Sequence, residues 1–349
     1  MPRPIHPDTL TDNLDTHLAR VTRGRARRGL PAPQVRVEAP GYLYRSGEQH
    51  LPFHSASVGK IGTAALIAQE IQKQTLDLDT PIDELLPADE LRGLFRERGA
   101  TIAHLLSHTS GVTDYFDGRT TGGPNLRTLV KTQPERHWDA AQLLDFTRAH
   151  QRPVGAPGER FHYSDTGYVL LGRALEVVTG RDPFELTRER IFAPAGMNDS
   201  VVWRREPGPV RIAPFWLDRT EASGFESVTV EWMSGGYVTT LDDLARLGTA
   251  LTDGTLVAPE LWERMRTPLN RFHAGIGYGL GVMELRFEGL SPLVRGLPRP
   301  VGHLGVLGAH LFVDPASGTN VVLNFHGTRE MRASFVTHIT IARGLHRLA

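Results

Sequence analysis

Cysteine is absent from the chain, which excludes disulfides, thiolate zinc sites and a cysteine nucleophile. Net charge is absent as well. The 39 Lys and Arg residues balance 39 Asp and Glu, so no global field favours nucleic acid, anionic lipid or an acidic polymer. No window approaches a membrane span, and the opening Met1-Pro2-Arg3-Pro4-Ile5-His6 lacks an apolar stretch of signal-peptide length. The expectation is a cytoplasmic protein with a small-molecule substrate and neither nucleic-acid nor membrane partners. Cofactor signatures are missing too. Gly59-Lys60 is followed by Ile61 and is no phosphate loop. Gly275, Gly277, Gly279 and Gly281 alternate strictly, which suits a strand under close backbone approach and not a dinucleotide fingerprint. His104 and His108 have metal-ligand spacing, but no glutamate beside His104 completes a zinc-protease motif. No metal and no cofactor is expected.

What is present is a core and one pattern with chemistry in it. A chain of 349 residues, 40% hydrophobic, has room for two domains or one elaborate one. Ser57-Val58-Gly59-Lys60 puts a serine and a lysine three residues apart, at the start of an apolar run with helical spacing. A serine hydroxyl needs a neighbour to take its proton, and a partly desolvated lysine can do so. Ile61, Ala64, Ala65, Ala68 and Ile71 recur at core-facing steps, with Gln69, Glu70 and Lys73 expected toward solvent. Ser57 would lie in the first turn, near free backbone N–H groups. Alone, the pattern reads first as a serine helix cap and a solvated lysine on the next turn.

Two further stretches give it company. Pro157-Gly158-Glu159-Arg160-Phe161-His162-Tyr163-Ser164-Asp165-Thr166-Gly167-Tyr168 is a loop entering an apolar helix, and Gly302-His303-Leu304-Gly305 is a strand edge before a glycine turn. In this order the three elements resemble the serine beta-lactamase and penicillin-binding-protein superfamily, in its class C-like branch. His104 to Gly111, Phe192 to Met197, Ser234 to Thr240 and Tyr278 to Gly281 resemble the same family, and the likeness runs from Ala32 to Gly327.

The resemblance implies an acyl-enzyme on Ser57. Lys60 and Tyr163 would share the proton work, the phenol acting as base and then as acid to the leaving group. That role requires a phenol pKa depressed by positive charge, with Lys60 as the source. The oxyanion hole would be the backbone N–H groups of Ser57 and Val306. Asp165 replaces the family's more usual asparagine. Ionised, it accepts but does not donate, and it would pair with Lys60 or serve as a helix cap. The third motif, His303, Leu304 and Gly305, would bind substrate. Histidine there is mostly neutral at pH 7, which removes the cation that draws a beta-lactam carboxylate.

The expected function is therefore a cofactor-free serine hydrolase, foremost an esterase on small esters. The alternatives are a D-amino-acid peptidase or amidase, or a weak beta-lactamase, and, in another class, a non-catalytic binding member of the family. Three intact catalytic side chains stand against the last. Oligomeric state has no signature in the sequence.

Periodicity and breakers supply the layout. Helices are expected at residues 9–27, 102–107, 140–149, 166–178, 183–192, 241–251 and 332–345, the sixth capped by Thr240, and strands at 35–38, 42–45, 309–313 and 321–325. The basic run 20–28 fits a solvated helix face. The fold class is α+β: an antiparallel sheet flanked by N- and C-terminal helices (1–75 plus 208–349), with a mostly helical second domain (76–207) and the site in the cleft between. Residues 117–124 and 271–300 would form its rim.

Overall fold

Leu10, Leu14 and Leu18 recur every fourth residue in helix α1 (Pro7–Ala26) and are buried as one stripe, the spacing that gives a helix a single apolar face. The structure, a computed structural model, describes residues 4–203, 211–290 and 294–348. The expected domain boundary at 207–208 lies outside the described residues.

The stripe packs on one face of an eight-stranded sheet. Its strands are β1 (Gln34–Ala39), β2 (Tyr42–Ser46), β3 (Asn270–His273), β4 (Ile276–Tyr278), β5 (Met283–Leu285), β6 (Val301–Gly305), β7 (Ala309–Asp314) and β8 (Thr319–Asn324). They lie in the order β2-β1-β8-β7-β6-β5-β4-β3, every neighbour antiparallel. Alternation along β8 sorts its residues by face. Val321 and Leu323 meet Leu10, Leu14 and Leu18, whereas Val322 joins the large core on the other side. That core also takes α2 (Lys60–Gln72), α3 (Ala140–His150), α4 (Asp165–Thr179) and α5 (Leu241–Thr252). The C-terminal helix α6 (Met331–Leu345) returns to the α1 side.

Capping agrees with the reading of the sequence: Thr240 Oγ1 accepts from Asp243 N, and Asp182 Oδ1 from Phe184 N and Glu185 N. The alternating glycines run through β4 into close packing, where a side chain on Gly279 would meet Met265 O at 2.2 Å.

Two expectations are corrected. Helix α2 is buried on nearly every side, and Glu70 does not face solvent; it accepts from Arg190 (2.6 Å) and Thr75 (2.6 Å). A central helix covered from both sides has no solvent face to give a polar residue, so the residue must find partners. The run 20–28 is likewise not wholly solvated. Arg25 is 1% exposed and bonds Glu330 at 2.7 Å, tying α1 to the segment before α6. Among the described residues, no helix is long and apolar enough to cross a membrane. The division into a helical unit 76–207 and a sheet unit remains our proposal, and one continuous apolar cluster joins the two.

Candidate active site

Ser57 lies in a single 3-10 turn (Ala56–Gly59) that runs straight into α2. It is the one residue between Phe53 and Lys60 that is not buried. Ala56, just before it, has φ +50°, a left-handed conformation that disfavours a side chain. Ala56 N donates to His54 Nδ1 (3.2 Å), which helps hold that turn. Strand β6 approaches from the other side. A Cβ on Gly305 would sit 2.3 Å from Ser55 O, so glycine is what lets the strand touch the nucleophile turn.

Lys60 is fully buried beneath Ser57. Its Nζ donates to Ser57 Oγ (3.2 Å) and to the carbonyl of Ser234, and pairs with Asp165 Oδ1 at 2.5 Å. The expected Lys60–Asp165 pair is therefore present. Helix α4 is capped by Ser164, whose Oγ accepts from Gly167 N, so Asp165 occupies the first helical position and is not the cap. Tyr163, at the loop–helix junction, hydrogen-bonds Ser57 and stacks on His108 with ring centroids 4.2 Å apart.

The Tyr163 phenol departs from expectation. Burial pushes its pKa well above the ordinary value, with the Asp165 charge adding to the rise and the Ser57 hydrogen bond opposing it. The positive charge of Lys60 is taken up by Asp165, which leaves it no means of stabilising a phenolate. Tyr163 is thus held protonated at rest.

His303 departs as well. It is buried one layer behind the cavity, Nδ1–H donating to Leu304 O (2.7 Å) and Nε2 accepting from Tyr278 OH (3.0 Å). Burial and the charge of Lys60 press its pKa down to about 3. It is neutral and does not line the cavity, whereas Leu304, Gly305 and Val306 do. Alternation along β6 explains this: Leu304 faces one side and His303 the other.

The cavity over Ser57 measures about 840 Å³. Its apolar lining includes Phe272 of β3, Ile276 of β4, Leu304 of β6 and Phe335 and Ile339 of α6, with Leu290. Its acidic lining is Asp114, Asp117, Asp165 and Glu231, and Arg332 lines it as well. Burial, then repulsion from Asp165, raises Asp114 to about 7; burial raises Glu231 to about 8. Sequence reasoning missed Asp114 and Glu231, which sit in no recognisable spacing. It also missed α6 as a wall. Both expected rim segments contribute, through Asp117, Gly118, Phe272 and His273; residues 291–293 of the second lie outside the described residues. His104 and His108 do not form a pair on one helix, because the helix stops at Leu106 and His108 has φ +57°. His108 Nδ1 instead accepts from Ser164 N (3.1 Å).

The beta-lactamase family profile matches residues 42–344. Penicillin-binding protein 4 of Amycolatopsis lactamdurans is 32% identical over 162 residues, 46% of this chain and 39% of that protein. The match to penicillin-binding protein 4* of Bacillus subtilis covers 32% of that protein, so the chain spans well under half the length of these relatives. Among solved structures, the D-amino acid amidase of Ochrobactrum anthropi SV3 in complex with D-phenylalanine superposes with a TM-score of 0.79 at 22% identity, covering 97% of this chain and 99% of that one. EstCE1, a hydrolase with promiscuous acyltransferase activity, gives 0.76 at 20% identity, over 96% and 99%.

Proposed function

This chain belongs to the beta-lactamase family, and from that premise we propose that it is a serine hydrolase acting through an acyl-enzyme on Ser57. The observation that carries the reading is the convergence of Lys60 Nζ and the Tyr163 hydroxyl on Ser57 Oγ at the wall of the cavity. A nucleophile, a proton acceptor and a proton donor within hydrogen-bond reach are what acyl transfer needs.

The proton path follows from the partners. With the phenol protonated, the base half of the work falls to Lys60, which can hand a proton to Asp165 at 2.5 Å and take the one from Ser57. Tyr163 then gives its proton to the departing group, and the Lys60–Asp165 pair restores it. The N–H groups of Ser57 and Val306, both on the cavity wall, serve the oxyanion.

The substrate is an amide or ester of a small amino-acid-like compound, and amide cleavage is the better-supported choice over the simple esterase reading. A D-amino acid amidase, a D-stereospecific amidohydrolase and a D-aminopeptidase stand among the similar proteins, beside the hydrolase EstCE1. The four carboxyls on the cavity wall support the same choice, since they offer an amine acceptors and, once ionised, counter-charge. Beta-lactam hydrolysis loses support from a neutral His303 that lies behind the wall.

The test is turnover of a p-nitrophenyl ester, an amino-acid p-nitroanilide and a chromogenic cephalosporin by wild type and Ser57→Ala. Anilide and ester turnover that vanish with Ser57 and leave the cephalosporin nearly untouched are expected. Activity that survives the substitution would sink the reading.

A further inference from the structure

Lys60 is held by hydrogen bonds to Ser57 Oγ and Ser234 O and by the ion pair with Asp165. The acids around it differ in what they have left. Asp165 holds Lys60. Asp114 is served by backbone amides, Oδ1 by Asp165 N (3.0 Å) and Oδ2 by Asp117 N (2.8 Å). Asp117 pairs with Arg127 at 3.1 Å. Glu231 has neither a paired cation nor donors on both oxygens among the described residues. Gly236 N–H donates to its carboxyl, but its buried Oε2 has no hydrogen-bond partner among the described residues.

Glu231 is also close to the chemistry. A Cβ on Gly235 would lie 2.4 Å from Glu231 Oε2 and 2.6 Å from Ala56 O, which places the carboxyl against the turn that carries Ser57. The segment is anchored next door, where Tyr115 OH donates to Val230 O (2.5 Å) and lies 3.0 Å from Ser234 Oγ. Burial holds this carboxyl protonated up to about 8, and an ammonium in the cavity would supply the counter-charge that lets it ionise. From this arrangement we infer that Glu231 determines specificity by receiving the free amino group of the substrate, so that the enzyme selects α-amino amides and esters over their N-acylated or des-amino counterparts. The α-amine stands two bonds from the scissile carbonyl carbon, and Glu231 stands against the turn that carries the nucleophile. The inference rests on the hydrolase reading.

The experiment compares kcat/KM on phenylalanine p-nitroanilide, in both enantiomers, with the 3-phenylpropionyl and N-acetylphenylalanine analogues. Wild type is expected to prefer the free amine at least about tenfold, one well-placed charged hydrogen bond's worth. Glu231→Gln should collapse that ratio about tenfold, mainly through KM, and Glu231→Asp should restore part of it. No preference in wild type, or an unchanged ratio in Glu231→Gln, overturns the inference. A measurement without any variant runs in parallel: phenethylamine should inhibit wild type at least about tenfold better than 3-phenylpropanol, and equal inhibition counts against the role of Glu231. Failure of the hydrolase reading is distinct. It would show as no turnover of any substrate and no labelling of Ser57 by a serine-directed phosphonate, and it would take the inference with it.

Discussion

Tyr163 carries the division of labour at the residue scale. Its buried, protonated phenol suits the acid half of the reaction, and acid help matters only for a leaving group that needs a proton. A p-nitrophenolate leaves unaided, whereas an amide nitrogen does not. Tyr163→Phe is accordingly expected to cut anilide turnover about 10²-fold while costing ester turnover much less, measured on matched acyl groups. Equal losses on both would assign the phenol to the base half instead. Lys60 was readable from its spacing to Ser57, and Tyr163 and Asp165 from the resemblance of their motif to the family's second one. Glu231 and Asp114 were not, since a carboxylate in a loop has no pattern until the chain folds it against Ser57.

At the scale of elements, the site depends on how closely β6 and the loop at 233–236 approach the turn before α2. Thr63 Oγ1 donates to Met233 O (2.7 Å) and Lys60 to Ser234 O, so one helix face holds that loop down. Gly305 sets the approach from the sheet. Gly305→Ala would push a methyl group to within 2.3 Å of Ser55 O, and the strand must yield. The expected result is a stability loss of about 1–3 kcal/mol with a disproportionate fall in kcat, followed by urea unfolding and steady-state kinetics on the same preparation. Unimpaired kcat would mean that the β6 contact does not position Ser57. The elements themselves were largely legible from apolar spacing and caps, as at Asp182 and Thr240. The hidden part was burial: α2 and α6 show ordinary amphipathic patterns, yet one is enclosed and the other walls the cavity.

The whole molecule ties its ends together through charge. Glu330, nearly buried, accepts from Arg25 at 2.7 Å and Arg28 at 2.6 Å. Glu330→Gln would leave Arg25 buried without its counter-charge and is expected to destabilise by about 3–5 kcal/mol, read as a lower urea midpoint. A drop below about 1 kcal/mol, the value of an exposed pair, would show that Arg25 is solvated. Acid should also weaken the fold. Burial presses His54, His303, His326 and His338 down to about 3. Unfolded, these histidines bind protons near pH 6.5, so the unfolded state gains protons between about pH 6.5 and 3 and stability falls as pH drops through that window. Asp114 and Glu231 work in the opposite sense. Raised to about 7 and 8, they keep protons that the unfolded chain releases above about pH 4, and they reduce stability as pH rises toward 8. The four histidines outweigh the two acids, and the urea midpoint is expected to be lower at pH 5 than at pH 7. An equal or higher midpoint would mean that these imidazoles are charged or exposed in the fold.

Ser57 and Lys60 follow from residues near one another along the chain, where spacing dictates which side chains share a turn, whereas Tyr163 came from the resemblance of its motif and the α+β class from apolar periodicity and breakers. Whether Tyr163 rests as phenol or phenolate, whether His303 faces substrate, and which carboxyl lacks a partner depend on burial and on neighbours brought from distant segments. A pKa and a hydrogen-bond vacancy are properties of a three-dimensional surrounding, and only the tertiary structure supplies one.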